Sequence, residues 1–261
     1  MTSGLAEASG GARLYYEEMG AGAPVAFVHG FALDTRMWDD QFEVFAQRFR
    51  VVRYDVRGFG RSSLPGREPY MQVADLHSLL LHLQMPSVHL VGLSMGGGIA
   101  LDFALTYPEA ARSLMLVDAA LGGFNWTKDW GGVGAAARSS GVGAAKDLWL
   151  NDEFFAPARE QPKVSARLRQ MVMDYSGWHW VNRDPGSWAD VPALQRLDQL
   201  RPPTLIIVGE RDLPDFHRIA DLVRTKARNA RIVVLPGVGH MSNMEAPEAF
   251  NITVLSFLRQ E

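Results

Sequence analysis

The stretch Val88-His89-Leu90-Val91-Gly92-Leu93-Ser94-Met95-Gly96 decides the fold. VHLV at 88–91 is a short, nearly continuous apolar run. Gly92 breaks it, and Met95 opens a helix-length segment that reaches position 107. A serine in G-x-S-x-G requires this strand–turn–helix setting. The sharp turn lifts the hydroxyl out at the end of a sheet, and the flanking glycines remove Cβ atoms that would collide there. The helix behind the serine aims its free amides and its positive dipole end at charge developing on a bound group.

The same alternation extends in both directions. VAFVH at 25–29, VVRYD at 51–55, LMLVD at 114–118, LIIVG at 205–209 and IVVL at 232–235 are short, mostly β-branched and bounded by Gly, Pro or Asp. Strands buried on both faces have this pattern, which predicts a parallel sheet. RLYYEE at 13–18 alternates and predicts an antiparallel edge strand. Helices are expected at 70–84, where Val73, Leu76, Leu79, Leu80 and Leu83 recur at spacings of three and four, and at 95–107, 216–229 and 247–258. The fold class is therefore α/β: a doubly wound, mostly parallel sheet. The alternation fails between 122 and 190. That segment holds Trp126, Trp130, Trp149, Trp178, Trp180 and Trp188, six of the seven tryptophans. It predicts a helical cap over 122–190, inserted into a core of 1–121 and 191–261.

Composition narrows the partners. The 261 residues carry 26 basic and 29 acidic side chains, a net charge of −3, which disfavours a sequence-independent grip on nucleic acid. With no cysteine, disulfides and thiolate metal sites are excluded. The first twenty residues have neither a basic nor an apolar signal region, and no run approaches the ~18 apolar residues of a membrane span. A cytoplasmic monomer or small homo-oligomer is expected, with no membrane partner.

A serine nucleophile needs a base, and the base needs an orienting acid. In this kind of sheet they follow in the order Ser, acid, His. His240 lies just beyond IVVL, in GVGH. Asp212 lies just beyond LIIVG, in GERD, with Asp118, Glu210 and Asp215 as competing acids. Glu210 is expected to point away or cap its loop, and Asp215 to cap the helix amides that follow it. Backbone amides of Phe31, in HGF after VAFV, and of Met95 are the candidate oxyanion donors. His29 is expected to tie its loop together. No metal-ligand spacing such as H-x-H or H-x-x-x-H occurs.

Together HGF, YDVRGFGRS at 54–62, GLSMGG, GERD and GVGH resemble the α/β-hydrolase superfamily over the whole chain. The resemblance implies an acyl-enzyme mechanism at Ser94, Asp212 and His240 with no metal or organic cofactor. It makes Asp55, Arg57, Gly58 and Gly60 shapers of a loop, and it places the cap where the 122–190 segment falls. Serine at the elbow sets the chain apart from the family's dehalogenases and epoxide hydrolases, which carry aspartate there. Met241 stands where the family's carbon–carbon hydrolases usually have Trp. Hydroxynitrile lyases would place a lysine near the triad, and none of the four lysines flanks a motif. The run GHMSNMEAPEAF is similar to the esterase and enol-lactonase branches, so the expected substrate is a small-molecule carboxylic ester or lactone. A perhydrolase, a carbon–carbon hydrolase and a ligand receptor on the same scaffold are the alternatives. Trp126, Trp178, His179 and Trp180 are the candidate substrate contacts. A wall built from them would suit an apolar or aromatic acyl or alcohol group.

Overall fold

In the computed structural model, which describes residues 1–260, eight strands form one sheet. They are β1 (Thr2–Glu7), β2 (Arg13–Met19), β3 (Pro24–Val28), β4 (Arg50–Tyr54), β5 (Val88–Leu93), β6 (Ala111–Val117), β7 (Thr204–Gly209) and β8 (Ala230–Leu235). Their spatial order is β1-β2-β4-β3-β5-β6-β7-β8. The β1–β2 and β2–β4 pairs are antiparallel, and every other pair is parallel. All six residues of β5 and all six of β7 are buried, which is why those strands read as unbroken apolar runs. From β3 the chain steps outward to β4 and then returns to β5 on the other side of β3. Strand order therefore reverses between β3 and β5, and ligands of open α/β sheets bind in the crevice at such a point.

Two sequence expectations need correction. RLYYEE is not the edge of the sheet, because β1 pairs outside it in full register from Thr2↔Glu18 to Glu7↔Arg13. The segment TSGLAE has little β-branched or aromatic character, so its extended form comes from the partner it finds. Tyr70 and Met71 do not start a helix. They pair with Gly186 and Ser187 in a two-residue parallel bridge that pins the far end of the inserted segment to the core.

Helices α1 (Asp39–Ala46), α2 (Gln72–His82) and α3 (Met95–Thr106) cover the first half of the sheet. Every residue of α3 from Gly96 to Leu105 is buried, so that helix shows no polar face. Between β6 and β7 lie α4 (Gly131–Ser140), α5 (Val142–Leu150), α6 (Ala156–Arg159), α7 (Pro162–Asp174) and α8 (Trp178–Val181). Ion pairs Arg36–Asp174 at 2.8 Å and Arg167–Asp40 tie these helices to the core. Then come α9 (Pro214–Lys226), α10 (Ser242–Glu245) and α11 (Pro247–Leu258). On α9 the buried apolar residues Phe216, Ile219, Ala220 and Val223 recur at helical spacing. No helix among the described residues is long and apolar enough to cross a membrane.

Candidate active site

Strand register sets the site. Leu93 pairs with Val117, and Val117 with Ile207, so the turns after β5, β6 and β7 emerge side by side. The Ser94 amide donates to Val117 O at 2.9 Å, and the Asp118 amide to Ile207 O at 2.8 Å. Ser94 has φ 56° and ψ −118°, a left-handed backbone that side chains other than glycine rarely adopt. The turn survives because its neighbours are glycines. A Cβ on Gly92 would lie 2.2 Å from Gly96 O, and one on Gly96 would lie 2.2 Å from Val28 O. The Ser94 carbonyl accepts from Gly98 and Ala120 amides, while its hydroxyl caps no helix amide.

His240 and Asp212 meet in the buried space beyond β7 and β8. The His240 ring donates from Nδ1 to Asp212 Oδ2 at 2.9 Å, and Asp212 Oδ1 accepts from the Leu213 amide at 2.7 Å. The loop carrying the histidine is held by Glu245, whose carboxylate accepts from the Gly239 amide at 2.7 Å and the Met241 amide at 3.0 Å. Asp118 straps the acid loop to the histidine loop. Its Oδ1 accepts from the Gly209 amide at 2.7 Å and its Oδ2 from the Ser242 hydroxyl at 2.6 Å. Burial pushes the imidazole of His240 down to about 4, with the negative charge of Asp118 acting the other way. The ring is thus neutral and ready to accept a proton. Burial raises the carboxyls of both Asp118 and Asp212; the Leu213 amide pulls Asp212 back, while the neighbouring charge of Asp212 raises Asp118 further.

The other carboxylates are occupied. Glu210 accepts from the Gly237 amide at 2.7 Å and so fastens its own loop. Asp215 does not cap the helix amides. It accepts from the Thr127 and Lys128 amides at 3.0 and 3.1 Å and pairs with Arg218, tying α9 to the chain after β6.

On the opposite side of Ser94, an ideal Cβ on Gly30 would lie 3.5 Å from the Ser94 Cβ, so the turn after β3 abuts the elbow. His29 fixes that turn. Its Nε2 accepts from the Val56 amide at 2.9 Å, and its Nδ1 donates to Gly30 O at 2.8 Å. Phe31 follows this turn. Met95 is the first residue of α3, so its amide has no partner within the helix. The 54–62 loop is built on Asp55, which accepts from the Thr35 and Arg61 amides at 2.8 Å each, and on the buried Arg57–Asp75 pair at 2.6 Å.

A cavity of about 320 Å³ opens beside Ser94. Trp126 and Trp180 line it. Of the other two candidate contacts, Trp178 and His179, neither is among its lining residues. The short α8 turns Trp180 inward and Trp178 outward, as residues two apart on a helix must be. Trp178 packs edge-on against His179. His179 stacks on Phe59 with centroids 4.5 Å apart, and its Nδ1 lies 2.8 Å from the Tyr175 hydroxyl. Sequence reasoning did not single out Trp130, Trp149, Trp188, Phe154 and Phe216, which complete the wall. The clustering of tryptophan between 122 and 190 was the available signal for the first three. Phe216 lacked one, because it sits in an ordinary amphipathic helix.

A separate cleft of about 470 Å³ lies between the 54–62 loop and α7, lined by charged groups including Asp34, Arg36, Asp55, Arg61 and Asp174. These groups pair with one another or with Glu17, and Ser94 is not among the lining residues. Among the described residues no group of three or more His, Asp or Glu is placed to hold a metal ion.

Comparison with known proteins matches this architecture. The model of the alpha/beta hydrolase fold family covers residues 23–247. A hydrolase from Pseudomonas aeruginosa is 29% identical and superposes with a TM-score of 0.85, covering 98% of both chains. A thermophilic esterase from Thermogutta terrifontis is 28% identical, with a TM-score of 0.79, over 100% of this chain and 99% of its own. A non-heme haloperoxidase from Rhodococcus erythropolis is 27% identical over 96% of this chain and 97% of its own. With a serine elbow at the reversal of a parallel sheet and a family match from before β3 to the start of α11, the chain belongs to the α/β-hydrolase fold family.

Proposed function

We propose that the protein hydrolyses carboxylic esters or lactones through an acyl-enzyme on Ser94. The observation that carries this reading is that His240, held from behind by its buried hydrogen bond to Asp212, lines the same small cavity as the left-handed Ser94. Ser94 Oγ attacks the carbonyl carbon while His240 Nε2 takes the hydroxyl proton. Asp212 holds Nδ1–H and stabilises the imidazolium. The amides of Phe31 and Met95 receive the oxyanion. Collapse of the tetrahedral species breaks the carbon–oxygen bond to the alcohol, which leaves with the proton from His240. Water, deprotonated by His240, then attacks the acyl carbon, and the proton returns to Ser94 as the acid departs. In this scheme the 122–190 segment is the cap that shapes the substrate cavity. Similarity to the Thermogutta esterase supports the reaction class.

The test is a panel of p-nitrophenyl esters and lactones with wild type and Ser94→Ala. The variant is expected to fold and to lose roughly 10³-fold or more in kcat. A fluorophosphonate should add to wild type at Ser94 alone. Labelling elsewhere, or near-normal turnover by the variant, overturns the mechanism. The Rhodococcus relative favours a second reading, in which hydrogen peroxide instead of water captures the acyl-enzyme and a peracid leaves. Halide oxidation in acetate and peroxide at rates matching ester hydrolysis would select it.

A further inference from the structure

We propose that the cavity beside Ser94 takes the acyl half of the substrate and that this half is neutral and aromatic, the alcohol half being compact. This rests on Ser94 as the nucleophile and goes further by naming the substrate class.

The wall carries no charge. Its indoles and phenyl rings are joined only by Ser94, Met95, Ala120 and Val133. Charges on the adjoining turns are committed elsewhere. Lys128 Nζ lies 3.0 Å from Asp152 and 3.3 Å from Glu153, and Asp215 is held by Thr127, Lys128 and Arg218. A carboxylate at the far end of an acyl chain would lose its water and gain no counter-ion, so such substrates are rejected.

The rings of this wall do not lie parallel. Trp126 meets Trp130 at 86° and Phe216 at 69°, and Trp130 meets Phe154 at 90°. An entering ring therefore finds both faces and edges, the offset and edge-to-face partners that an aromatic quadrupole prefers. A flexible alkyl chain gains the same burial without that directional gain, and it loses more rotamer freedom on entering.

The division between acyl and alcohol follows from where His240 stands. A second cavity touching Ser94 measures about 10 Å³, room for about one water, and its wall includes Leu33, Leu93, Phe155, His240 and Met241. The larger cavity is lined by Ser94 and Met95 but not by His240. The leaving oxygen must reach the His240 ring to collect its proton, so the alcohol lies on the cramped side. The acyl group stays on Ser94 and extends into the aromatic cavity.

Methyl phenylacetate and benzyl acetate are isomers with unactivated alcohols and the ring on opposite halves. We expect kcat/KM by pH-stat to favour methyl phenylacetate by about tenfold. It should exceed methyl octanoate by about fivefold and the monomethyl ester of octanedioic acid by roughly 100-fold. Trp126→Ala and Trp180→Ala should each lower the phenylacetate rate more than the methyl acetate rate. Preference for benzyl acetate, for octanoate or for the carboxylate-bearing ester overturns the proposal. A second measurement does not depend on turnover: indole fluorescence of Ser94→Ala titrated with phenylacetamide, octanamide and phenylacetate. Phenylacetamide should bind tightest, and Trp126→Ala in that background should weaken it. Equal binding of the phenylacetate anion sinks the inference even if no ester is turned over. Failure of every ester, methyl acetate included, with selective phenylacetamide binding refutes the hydrolase reading and leaves the cavity's selectivity standing.

Discussion

Asp212 and Asp118 show how two buried carboxyls in one pocket take different roles. Asp212 faces the imidazole, whereas Asp118 accepts only an amide and a hydroxyl. In Asp212→Asn the amide can donate where it should accept, which favours the wrong tautomer of His240. The expected loss is up to about 10⁴-fold in kcat. Asp118→Asn keeps an acceptor for the Gly209 amide and turns its NH2 toward the Ser242 hydroxyl oxygen, which can accept from it, so we expect activity within about tenfold of wild type. It removes a negative charge beside His240, and losing such a charge lowers an imidazole pKa. The acid limb of kcat/KM should therefore lie at lower pH in Asp118→Asn than in wild type. A dead Asp118→Asn together with an active Asp212→Asn would hand the acid role to the β6 end. Sequence order alone left these two open, because both follow strands ending on the same edge of the sheet. The resemblance carried by GERD favours Asp212, and the hydrogen bond from His240 falls on the same residue.

Among the elements, those set by local chemistry were legible and those set by a distant partner were not. The elbow could be read because its glycines face backbone oxygens, Gly92 that of Gly96 in α3 and Gly96 that of Val28 in β3. We expect Gly96→Ala to destabilise the fold by about 3 kcal/mol, since the clash is with Val28 O and backbone cannot swing aside. Urea unfolding checks this, and an unchanged midpoint would mean that the turn relaxes freely. Strand β1 escaped notice because nothing in TSGLAE is extended on its own account, and the Tyr70 bridge because its partner lies far along the chain at Gly186. For α8 the sequence placed aromatic residues two apart but not their directions. The structure separates them, so Trp180→Ala should alter selectivity among acyl groups while Trp178→Ala leaves it unchanged. Equal effects in ester competition assays would show that both act only as braces.

Across the whole molecule, several histidines are buried where the ring cannot easily charge. His89, His179 and His240 are each pushed down to about 4 by burial, and His29 is lowered for the same reason. In the unfolded chain each titrates near 6.5. Between those values the unfolded state binds more protons, so these groups stabilise fully above about 6.5 and lose that contribution as pH falls toward 4. Buried Asp102, raised to about 6, works in the opposite direction, because it is stabilised when protonated and its contribution fades as pH rises. Net acid sensitivity therefore mixes signs, and a single histidine has to be isolated. His89 serves because it sits in β5 away from the cleft, with Nδ1 2.7 Å from the Ser113 hydroxyl and Arg112 adding to the depression. His89→Gln keeps a polar partner for Ser113 and cannot titrate. Wild type should lose about 2 kcal/mol more stability than His89→Gln between pH 7.5 and pH 5. The measurement is urea unfolding of both proteins at pH 7.5, 6 and 5, with the gap opening below about 6.5. If the two stability curves run parallel through that range, His89 takes up its proton equally well in the folded protein, and burial in β5 does not suppress its charge.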